Sequence, residues 1–82
     1  METTVLNNIP LSKATPGSSY KIVKLDGGEK FKSKMISMGI FPERSIEIMN
    51  CDGCVGPIAV KTGFSKIVLG RGMASKIIVT QV

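Results

Sequence analysis

Apolar and polar residues alternate through most of the second half of the chain, at the period of a β-strand. Ser45 to Met49 sets Ile46 and Ile48 on one face, with Ser45 and Glu47 on the other. Ile58 to Thr62 sets Ile58 and Val60 opposite Ala59 and Lys61. Phe64 to Leu69 turns Ile67 and Leu69 inward, and Thr62-Gly63 before it suits a hairpin turn. Ile77 to Val82 reads as the last strand, with Ile77 and Val79 facing the core and Ile78 facing outward unless something covers that face. An earlier strand runs from Tyr20 to Leu25. Its alternation slips between Ile22 and Val23, which predicts a bulge or bend there.

One segment has a different period. In Glu29 to Met38 the apolar residues Phe31, Met35 and Met38 fall at i, i+4 and i+7, on one face of an α-helix. Lys30, Lys34 and Ser37 fall on another. Glu29 in the first turn suits the positive end of the helix dipole, and Asp26 is positioned as a cap. Gly39 follows the last periodic residue and suits a left-handed closing conformation, and Pro42 discourages continuation. Leu11 to Ala14 reads as one helical turn, and Gly70 to Lys76 as an irregular link with one more. Pro16-Gly17 and Asp26-Gly27-Gly28 read as turns.

Length then constrains how these pieces assemble. The chain has 82 residues, enough for one domain with a thin core. With no Trp, one Tyr and three Phe, that core must be aliphatic. Five short strands at this size cannot bury two separate sheets. The expectation is a mostly β protein, a small five-stranded barrel left partly open, with one α-helix after the first strand and short helical turns. Residues 1–9 are expected to be a loose lead-in, and residues 10–82 the domain.

The formal net charge of +5 draws a chain toward nucleic acid, anionic lipid or acidic protein faces without choosing among them. The N-terminus has no basic region followed by a long apolar run, and no stretch is apolar enough to span a bilayer. A cytoplasmic location without direct membrane insertion is therefore expected.

The chemistry on offer is sparse. The chain has no His, and its six carboxylates show no paired arrangement, so no nucleophile–base pair can be assembled and no enzymatic activity is expected. Cys51-Asp52-Gly53-Cys54 lies between two strands. Cys51 and Cys54 could hold one face of a tetrahedral site for zinc or ferrous iron, completed by Asp52, Glu47 or a second chain. They could also form a redox pair or an ordinary loop pair, and the last best fits the missing context, since no second Cys pair is present. No cofactor is required by the sequence. Gly27-Gly28 and Gly70-Arg71-Gly72 lack the spacing of a phosphate-binding loop and read as turn glycines. Lys30, Lys32 and Lys34, with Lys21 and Lys24 nearby, are either a solvated face or a docking surface for an acidic partner. Met35 and Met38, at helical spacing, read as core.

Four segments together resemble the FeoA domain family, that of ferrous iron transport protein A. They are Pro10-Leu11-Ser12 leading to Gly17 and a strand ending in Gly27-Gly28; Met35, Met38-Gly39-Ile40 and Pro42; Gly56-Pro57 before a strand; and Leu69, Ala74, Ile77 and Val79. Glu43 departs from the pattern, because the family usually has Gly after this proline. The resemblance implies an SH3-like barrel and an accessory role in bacterial ferrous iron uptake. It implies a partner, the cytoplasmic GTP-binding region of the FeoB transporter, which would recruit the chain to the inner face of the membrane. Binding is expected to use an apolar cleft between helix and barrel, lined by Leu25, Phe31, Ile40 and Phe41, with Lys30 and Lys34 nearby. A small basic nucleic-acid-binding barrel and a Cys-based metal carrier or sensor are the alternatives, and a homodimer stays open. The nucleic-acid reading is weakened by the lack of aromatic residues for base stacking.

Overall fold

In the computed structural model the strands share one antiparallel six-stranded sheet, in the order β1-β6-β2-β3-β4-β5. The structure describes residues 8–51, 56–63 and 65–82, and for residues 50 and 51 the backbone alone. The strands are β1 (Ile9–Pro10), β2 (Ser19–Leu25), β3 (Ser45–Cys51), β4 (Ile58–Thr62), β5 (Ser65–Leu69) and β6 (Ile77–Gln81). Helix α1 (Glu29–Ser37) follows β2, and a short α2 (Arg71–Ala74) precedes β6. A single 3-10 turn covers Leu11–Lys13.

This is the mostly β architecture that the alternation predicts, with two differences. Among the described residues the strand count is six, because Ile9 and Pro10 pair with Val79 and Ile78 of β6. Two residues with a Pro carry no readable period, so only this distant pairing reveals them. Among the described residues the sheet does not close, since β1 and β5 are its two free edges. The expected slip in β2 is present: its register against β6 shifts between Ile22 and Lys24. A second shift, between Ile48 and Asn50, bends β3 against β4.

Buried aliphatic side chains from every strand after β1 make the core. Ile22, Ile48, Ile58, Val60, Leu69, Ile77 and Val79 are almost completely enclosed. Leu11 and Ala74, from the 3-10 turn and α2, join them, and the Arg71 Nη1 donates to the Ser12 carbonyl at 2.9 Å to hold those two turns together. The Tyr20 hydroxyl accepts from the Thr15 N–H at 3.0 Å, which gives the one buried aromatic among the described residues its polar partner.

Helix α1 is anchored by Met35, its one buried residue, with Phe31 and Met38 packed partly against the core. Its N-cap is Gly28 with no side-chain cap bond, so Asp26 does not cap it. The Asp26 N–H instead donates to the Lys76 carbonyl at 2.7 Å, joining the end of β2 to the start of β6. The C-terminus closes as a Schellman motif. The Ile40 N–H donates to Met35 O at 2.8 Å and the Gly39 N–H to Ile36 O at 3.0 Å, with Gly39 at φ +92°. Met35 and Ile40 are both fully buried and supply the apolar contact that such a motif favours.

Candidate functional site

The turn that follows α1 sets a groove beside it. Gly39 reverses the chain, Ile40 enters the core, and Pro42 then stands across from the end of β2. The resulting groove has a volume of about 390 Å3. Leu25, Ile36 and Pro42 give it apolar surface, Lys24 and Lys32 supply two ammonium groups, and Asp26 and Gly27 complete its lining. Ile36 is the chief apolar exposure here, at 53%. It follows Met35 directly and so cannot share the buried stripe of Phe31, Met35 and Met38.

Gly27 shapes the groove by what it lacks. A Cβ there would lie 2.5 Å from Phe31 Cδ2, so the ring sits where only glycine lets it. The Lys76 ammonium lies 5.6 Å from the centroid of the same ring. Next to Pro42, Glu43 adopts φ +78°, held by donation from its N–H to the Ile22 carbonyl at 2.8 Å. Its carboxylate is largely exposed and lies 3.6 Å from Lys21 Nζ.

The structure divides the expected partner-binding residues. Leu25 lines the groove. Phe31 is half-buried under Lys76 and packs on the core. Phe41 is half-buried, with the Arg44 guanidinium 5.2 Å from its ring centroid. Ile40 is fully buried in the core because it closes the helix, so it offers no surface. Lys30 and Lys34 are exposed on α1, outside the groove lining. Sequence reasoning passes over Lys24, Lys32, Ile36 and Pro42 as a group. The available signal was Ile36, a large apolar residue off the helix's buried stripe.

Cys51 ends β3, and Cys54 and Asp52 lie outside the described residues. Glu47 is exposed on β3. Among the described residues no group of three or more His, Cys, Asp or Glu could hold a metal ion. No helix among them is long and apolar enough to cross a membrane.

One open antiparallel sheet of short strands, with a helix of about two and a half turns after the second, defines the class: a small SH3-like β domain. The FeoA domain model matches residues 9–81, and the chain belongs to that family. It is 33% identical, over 70 residues, to a protein named Fe(2+) transport protein A from Methanocaldococcus jannaschii, covering 85% of this chain and 83% of that one. The crystal structure of an iron uptake regulatory protein, FeoA, superposes with a TM-score of 0.86 at 29% identity, covering 93% of this chain and all of that one. The solution structure of iron(II) transport protein A from Clostridium thermocellum gives a TM-score of 0.83 at 31% identity, covering 90% of this chain and 46% of that one.

Proposed function

We propose that this chain is a non-enzymatic accessory protein of ferrous iron transport, acting in the cytoplasm by docking on the GTP-binding region of the FeoB transporter. Family membership and the names of its relatives support the iron-transport role. The groove beside α1 is the observation that carries the docking role. Apolar surface from Ile36, Leu25 and Pro42, with Ile36 the exposed part, shares the groove with Lys24 and Lys32. Such a surface suits an apolar anchor flanked by carboxylates, because burying the anchor supplies the affinity and the lysines steer the approach. The chain has no His to serve as a general base near neutral pH, which supports assigning any GTP chemistry to the partner.

The test is Ile36→Asp, with binding to the purified cytoplasmic region of FeoB measured by calorimetry. Ile36 is exposed, so the variant folds, and placing a charge in the apolar strip lowers affinity by about tenfold or more. Unchanged affinity, or no binding by the unaltered chain, overturns the proposal.

A further inference from the structure

The outer face of the sheet carries two rows of side chains that stop at the free edge of β5. In the first row Ser19 lies opposite Glu47, Glu47 opposite Lys61, and Lys61 opposite Lys66. All four side chains are exposed. From β3 outward the row therefore reads acid, base, base. Glu47 neighbours Lys61, but Lys66 has a like charge on its inner side and an open edge on its outer side. Directly opposed like charges destabilise a strand pair, while an opposite charge in the next strand stabilises it.

The second row is apolar. Ala59 lies opposite Val68, and the register shift of β3 leaves Met49 exposed near Ala59. Val68 is 57% exposed and Met49 46%, large values for apolar side chains on a small domain. No described element pairs with the outer side of β5, so its outward N–H and C=O groups form an edge ready for a further strand.

We infer that β5 is a second binding edge. It receives an extended acidic segment of a partner protein as a seventh strand, with a carboxylate beside Lys66 and an apolar side chain beside Val68. Main-chain hydrogen bonds hold such a segment, and the alternate side chains select it. Lys66 has a double effect here. Lysine on an edge opposes indiscriminate strand pairing, and the same charge favours a strand that carries an acid at the matching position. The edge is separate from the groove beside α1, and the inference stands whichever protein fills that groove.

The test uses the full 15N-labelled chain and a blocked heptapeptide probe, Ser-Thr-Val-Thr-Glu-Thr-Ser, followed by amide chemical shifts. Shifts are expected along residues 65–69 and in β4 beside them. Changing the probe's Glu to Lys weakens binding about fivefold, the scale of exchanging a favourable cross-strand charge pair for a repulsive one. Lys66→Glu in the chain does the same to the original probe and restores binding of the Lys probe. Lys34→Glu, which alters net charge equally but lies on α1, leaves both affinities within about twofold, because screening confines the effect to close charges. Shifts confined to the α1 groove, equal losses from Lys34→Glu and Lys66→Glu, or no binding of the probe each overturn the inference. Self-association of the chain through β5 that excludes the probe overturns it as well and assigns the edge to a second copy.

Discussion

Glu43 is the one non-glycine residue with positive φ among the described residues, at +78°, and it stands where the resemblance led us to expect glycine. A side chain in that region costs about 1–2 kcal/mol, whereas glycine costs about 0.5–1 kcal/mol in lost chain freedom. The Lys21 contact returns little, since an exposed ion pair is worth well under about 1 kcal/mol. Glu43→Gly therefore raises stability by up to about 1 kcal/mol, or several degrees in the melting temperature. A lower melting temperature would show that the carboxylate is worth more than the backbone strain. The departure from the family pattern was legible in the sequence. That the backbone takes a left-handed conformation there was not, because the Glu43 N–H is held by the carbonyl of Ile22, on a strand some twenty residues earlier. Gly27 gives the opposite case. Gly27→Ala drives a methyl into the Phe31 ring and destabilises the fold by about 1–3 kcal/mol, measured by urea unfolding. An unchanged unfolding midpoint would mean that the ring moves aside freely.

At the scale of elements, α1 has one deep contact. Met35 is fully buried, while Phe31 and Met38 are only partly so. Met35→Ala removes that anchor and costs about 2–5 kcal/mol, a large share of the stability of an 82-residue domain. Hydrogen exchange of α1 amides then accelerates before that of β2 and β6. Equal acceleration in all elements would show that the helix opens only with the whole fold. The strands that sequence reading located best were those whose one face is buried. Ile58–Thr62 alternates without interruption, and its observed bounds are the expected ones. The slip at Ile22-Val23 marked the β2 bulge. β1 escaped notice because its two residues gain their identity from β6, nearly seventy residues away. The cap of α1 escaped for a related reason: the Asp26 N–H goes to Lys76, so its position is set by strand pairing and not by the helix.

For the whole molecule, the fold was more legible than the surface. Burial dictates the pattern of a core, and pattern survives in sequence. A groove joins residues from β2, α1 and the turn after it, and no local period ties Lys24 to Ile36 and Pro42. The expected cleft lining therefore included Ile40, which the Schellman closure carries into the core, and omitted Ile36, which that same geometry leaves outside. If the groove binds as proposed, its two lysines make association with the FeoB cytoplasmic region sensitive to salt. Raising ionic strength from about 0.05 to 0.5 M slows association far more than it speeds dissociation. Equal effects on the two rates would point to a contact that the lysines do not steer.

The most direct measurement is a titration of the 15N-labelled chain with the FeoB cytoplasmic region, read residue by residue. The account predicts shifts that cluster on Lys24, Leu25, Gly27, Lys32 and Ile36, with smaller changes elsewhere. A spectrum that stays unchanged, or one that moves only on the face opposite α1, would contradict it.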